Sequence, residues 1–129
     1  MGGLGDVAYL QGRLVTSQKL YKQCVSLCRA HGFGRIEAAN SAMVAISTNY
    51  LLDLKESEKL AMEGLHFARK VGNRRGEMTS LRGLMVTMRL SGQWTRIGEL
   101  VEQYSSLNEV MGMRSWNGFC ENLFCVKFI

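Results

Sequence analysis

Apolar and polar positions alternate along this chain with the period of an α-helix, and the pattern itself recurs every 40 residues. The recurrence is centred on Leu60 to Glu99, LAMEGLHFARKVGNRRGEMTSLRGLMVTMRLSGQWTRIGE. That stretch reads as the second half of one helical hairpin followed by the first half of the next. Moved by 40 positions, Leu20, Leu60 and Leu100 share a column. So do Cys24, Gly64 and Tyr104, then Leu27, Phe67 and Leu107, then His31, Val71 and Met111. These columns stand at offsets 0, 4, 7 and 11, which is one stripe of an α-helix. A helical stripe recurring at fixed period signals a stacked repeat array.

The pattern predicts helices over 3–11, 14–31, 35–51, 55–71, 75–90, 94–111 and 115–128. Glycines at 12, 32, 72, 92 and 112 punctuate them, as helix C-caps do. One break, Leu52-Asp53-Leu54, lacks a glycine. Ala38, Ala39, Ala42 and Ala45 give the third helix a small face that admits a close neighbour. Glu37 and Glu77 fall in first turns and Arg69 and Lys70 in a last turn, each matching the helix dipole. Connections this short fold consecutive helices antiparallel. The expected fold is all-α, about seven antiparallel helices in a single domain over 1–129, with units 1–33, 34–73, 74–113 and a partial 114–129.

Composition narrows the class. The 129 residues are enough for one core. At 47% apolar and 21% charged, the chain lies outside the disordered range. The absence of proline suits long unbroken helices. Net charge is +5, which permits an acidic partner without specifying one. Cys24, Cys28, Cys120 and Cys125 form no CxxC pair. They read as reduced thiols, which points to the cytoplasm. No apolar run approaches the ~20 residues that span a bilayer.

Candidate chemistry is sparse. His31 and His66 lie on different helices without a partner that would make an acid–base pair. Cys24 and Cys28, at i and i+4, could present two metal ligands on one face. The same spacing serves a core stripe, which is the expected role. Neither phosphate-loop nor catalytic motif occurs, so no enzyme, cofactor or metal is expected. Trp94 reads as core and Trp116 as half exposed. The basic residues are the exception. Arg69, Lys70, Arg74 and Arg75 surround one turn, and Arg75, Arg82 and Arg89 recur every seven positions along the fifth helix. The cluster is too short, and too close to Glu63 and Glu77, to favour nucleic acid.

The spacing Leu4-Gly5, Gly12, Leu14, Ser17, Tyr21, Cys24 resembles the tetratricopeptide repeat. Val44-Ala45, Leu54, Ser57, Ala61, Gly64 repeats it, as does Leu84-Met85, Gly92, Trp94, Ile97, Val101, Tyr104, and Phe124-Cys125 begins another copy. The R-x-G-E run at Arg74–Glu77 is similar to the longer, roughly 40-residue subfamily. The chain departs from the family at Leu52, at the large Met85, Ile97 and Tyr104, and in placing glycine where many members end the second helix with proline. The resemblance implies a right-handed α-α superhelix and a non-catalytic scaffold that holds a partner's peptide or helix in a concave groove. It places Arg82 and Arg89 in that groove, with Asp6, Tyr9, Asn49, Tyr50 and Asn122 lining it. Guanidinium groups there would suit an acidic partner. In this register both ends fall inside a repeat and no polar cap is visible. The expectations are a fragment of a longer protein, such as the regulatory tail of a nucleotide cyclase or ATP-dependent regulator, or self-association through uncapped ends.

Overall fold

The computed structural model describes residues 2–112. It contains α1 (Gly2–Leu10), α2 (Leu14–His31), α3 (Gly34–Tyr50), α4 (Leu54–Val71), α5 (Arg74–Leu90) and α6 (Trp94–Met111). No strand occurs among the described residues. Each helix begins and ends within one residue of its expected place. Helices α4 and α6 are α2 moved by 40 and 80 positions, and α5 is α3 moved by 40. The helix expected over 115–128 lies outside the described residues.

The turns explain this regularity. Positive φ angles occur at Gly12, Gly32, Leu52, Gly72, Gly92 and Gly112, one every twenty residues. Each stops a helix by turning the chain into the left-handed region, which releases the next amide to bond backwards. Thus Phe33 N–H donates to the Cys28 carbonyl at 2.9 Å, Asn73 to Ala68 at 2.9 Å and Gln93 to Met88 at 2.8 Å. Leu52 adopts the same geometry, φ 64°, with a side chain that disfavours it. Two of the following helices gain side-chain N-caps. Asp53 accepts from the Glu56 amide and Asn73 from the Gly76 amide. The Asn73 side-chain amide also donates to the Arg35 carbonyl at 2.7 Å, tying this turn to the start of α3.

Consecutive helices fold back on one another, and α3 also packs on α5. The odd-numbered helices therefore form one layer and the even-numbered helices the other. Small residues allow the closest approaches. Ala38, Ala42 and Ala45 of α3 are fully buried. A Cβ built on Gly76 would lie 3.3 Å from the backbone carbon of Ala38, and one on Gly64 would lie 3.1 Å from Ser80 Oγ.

The hairpin interiors differ between copies in a compensated way. In the first, Gly5 leaves the room that the buried Tyr21 ring fills, for a Cβ there would sit 2.7 Å from it. Ser17 Oγ donates to the Gly5 carbonyl at 3.0 Å, and Ser57 Oγ to the Ala45 carbonyl at 2.9 Å in the second copy. In the third, Met85, Ile97 and Val101 stand in these columns and the contact becomes wholly apolar. They join Leu65, Met78, Leu81, Leu84, Met88 and Tyr104 in the main core.

An ion pair repeats as well. Arg29 Nε lies 2.9 Å from Glu37 Oε1, and Arg69 Nε lies 2.8 Å from Glu77 Oε1. This divides the basic cluster expected around the turn at 72–73, since Arg69 is held by Glu77 and by Gln103. Among the described residues no helix is long and apolar enough to cross a membrane.

Candidate functional site

A groove of about 640 Å³ crosses the odd-numbered layer. Helix α3 contributes Ile36, Ala39, Asn40 and Met43, and α5 contributes Arg75, Met78, Thr79 and Arg82. Each set follows i, i+3, i+4, i+7, so each is one helix face. Gly2, Gly3 and Asp6 of α1 close the third side. The floor is apolar, formed by Ile36, Ala39, Met43 and Met78. The charges are Asp6 on one wall and Arg75 with Arg82 on the other. Seven residues of helix separate the two arginines, roughly 10 Å along the axis.

Two tyrosines stand close to this surface. The Tyr9 and Tyr50 rings meet at 5.9 Å with a 57° tilt. Burial pushes the Tyr9 phenol up to about 12, its hydrogen bond and electrostatic interaction with Tyr50 add to the rise, and the Arg82 charge opposes it. Arg82 thus acts electrostatically on Tyr9. Asp6 is fixed from below, because the Tyr21 hydroxyl donates to its Oδ1 at 2.5 Å. Burial, and then that bond, push the Tyr21 phenol strongly up.

Of the residues expected in the groove, Asp6 and Arg82 line it, whereas Tyr9 and Tyr50, whose rings meet each other, are not among its lining residues. Asn49 does not belong there. It is 1% exposed, on the α3 face that carries Ala38, Ala42 and Ala45, and its Oδ1 is buried without a hydrogen-bond partner among the described residues. It lies one residue, hence about 100° of helix rotation, from Tyr50. Arg89 is outside the groove lining, in the last turn of α5. Asn122 lies outside the described residues, as do Trp116, Cys120 and Cys125. Arg75 takes the place expected of Arg89. Its signal was the seven-residue spacing from Arg82, masked by its position beside the turn.

Of the other candidates, Cys24 also lines the groove and the rest are not part of its lining. Cys24 and Cys28 are buried with their sulfurs 4.0 Å apart. Burial, then the neighbouring Cys24 thiol, push the Cys28 thiol up. His31 ends α2 and stacks on Phe33 at 6.0 Å, and His66 is exposed. Trp94 opens α6 and packs against the core, partly buried. Among the described residues no three His, Cys, Asp or Glu side chains are grouped to hold a metal. Comparison with protein-family models and with curated proteins finds no match.

Proposed function

We propose that the chain is a non-catalytic interaction scaffold of tetratricopeptide type, whose right-handed superhelix holds an acidic peptide or helix of a partner protein in a concave groove. The reading rests chiefly on the groove of about 640 Å³, in which Arg75 and Arg82 flank an apolar floor. Its size suits a peptide segment. Its chemistry suits a ligand with apolar residues between two carboxylates roughly 10 Å apart, which is i, i+7 on a helix. Guanidinium–carboxylate pairs would fix the register and Met43 and Met78 would supply adaptable contact. The 40-residue recurrence of turns, ion pair and Ser–carbonyl bond supports the repeat assignment.

The test is charge reversal. Arg75→Glu combined with Arg82→Glu abolishes capture of the partner while leaving the unfolding curve in place, and Arg89→Glu leaves capture intact. Retention of binding by the double variant refutes the groove assignment.

A further inference from the structure

The even-numbered layer holds a second concavity, and the repeat supplies its own control for reading it. A cleft of about 610 Å³ separates α2 from α4 above α3, whereas the matching seam between α4 and α6 above α5 holds only about 170 Å³. The two are the same place moved by 40 residues. In the narrow seam Leu65 and Leu84 fill the interior, and Val25 and Val44 take those columns in the wide one. Met62 at the narrow mouth becomes Lys22, and Gln103 becomes Glu63.

Two polar ties shut the narrow seam. Arg69 Nη2 donates to Gln103 Oε1 at 2.8 Å, and Arg96 Nη1 to Glu58 Oε1 at 2.8 Å. In the wide cleft the columns of the first tie hold Arg29 and Glu63. Arg29 is engaged by Glu37, and Glu63 pairs with no cation among the described residues. The wide cleft therefore has an apolar interior of Val25, Val44, Leu60 and Phe67. Its α2 wall carries Lys22, and Arg29 held by Glu37 from the α3 side, and its α4 wall carries Glu63, which pairs with no cation among the described residues.

We infer that this cleft is a second docking site, for an amphipathic helical segment of a partner protein. The segment places large aliphatic side chains where the chain's own Leu65 and Leu84 lie one repeat on. It carries an acidic residue toward α2 and a basic residue toward α4. The lining runs from Lys22 to Arg29 and from Leu60 to Phe67, about 10 Å on each wall. That length matches two helical turns, so two leucines four positions apart fit it. Helix α3 lines both sites with different faces, Ile36, Ala39, Asn40 and Met43 toward the groove and Glu37, Ser41 and Val44 toward the cleft.

The probe is a synthetic helical peptide of about 15 residues. It carries two leucines four apart, glutamate on one flank and lysine on the other. A second peptide has the flanks exchanged. Methyl NMR of the full chain is expected to show saturable shifts at Val25, Val44 and Leu60, with the first peptide binding about tenfold tighter than the second. Val25→Leu with Val44→Leu, which moves the interior part of the way toward the narrow seam, weakens binding of the first peptide. Glu63→Lys, an exposed change that spares the interior, weakens the first peptide about tenfold. Arg75→Glu with Arg82→Glu leaves all of this unchanged, which separates the two sites. The inference fails if no methyl in the cleft responds or if binding is undiminished both by Val25→Leu with Val44→Leu and by Glu63→Lys. It also fails if sedimentation shows a second copy of the chain occupying the cleft without peptide.

Discussion

Replacing Leu52 by glycine tests the turn mechanism most directly. Leu52 is the one non-glycine residue with positive φ among the described residues, at 64°. An L-residue held there costs about 1–2 kcal/mol. Its side chain is 76% exposed, so removing it forfeits little buried area. Glycine loses more conformational freedom on folding, which offsets about 0.5–1 kcal/mol of the relief. The net expectation is a gain of about 0.5–1 kcal/mol, or roughly 2–4 °C in Tm for a domain of this size. Urea unfolding followed by far-ultraviolet circular dichroism reads it as a raised midpoint at unchanged slope. Gly92→Ala is the reciprocal experiment. Its φ is 75° and nothing among the described residues lies within 4 Å of a built Cβ, so the expected loss of about 1 kcal/mol is conformational. A destabilised Leu52→Gly together with an unaffected Gly92→Ala would show that backbone handedness does not limit these turns.

Two further outcomes follow from packing and burial. Gly76→Ala should destabilise by up to about 2 kcal/mol, because its Cβ would meet the Ala38 backbone at 3.3 Å and overpacking of about 1–3 kcal/mol exceeds the helix-propensity gain of about 0.8–1 kcal/mol. Gly98→Ala, with nothing among the described residues within 4 Å, should instead stabilise by about 0.8–1 kcal/mol through helix propensity; chemical denaturation distinguishes the signs. The Tyr9 phenol is held at about 12 in the fold, against 10.0 for an unperturbed tyrosine. The folded state thus retains its proton more tightly than the unfolded state does. This contribution to stability is fully present below pH 10 and is lost as pH rises toward 12. Ultraviolet titration should show two tyrosines, Tyr9 and Tyr21, ionising late, and Tyr50→Phe, which removes the hydrogen bond to Tyr9, should bring only Tyr9 earlier.

The helices were legible because their punctuation is local. Glycine at a C-cap needs only its own φ, so the glycine spacing located the ends wherever glycine was present, and the recurring hydrophobic stripe carried the pattern past Leu52. The faces were less legible. Asn49 and Tyr50 are neighbours in sequence, yet one step of helix rotation buries the first and leaves the second exposed. Arg75, Arg82 and Arg89 share a row, but Arg89 stands about 21 Å along the axis from Arg75, beyond the groove lining. The row gives the face and is silent on how far along it the groove extends. The wide cleft between α2 and α4 was harder still. Val25, Val44 and Lys22 each read as ordinary, and only their joint comparison with the columns one repeat on reveals the missing volume. Pair geometry such as Arg69 with Glu77 depends on side chains meeting across a turn and was likewise absent from any stripe.

The six left-handed turns recur at a strict interval of twenty, and this cadence governs how such a gene can change length. Losing one codon inside a helix rotates everything downstream by about 100°, pulling the next layer's greasy face out of register. Duplicating a block of forty leaves both joints intact, because the last turn of one block is already the first turn of its successor. Growth by whole stanzas is therefore mechanically cheap for this polypeptide, while editing by single letters is tolerated only at the exposed corners.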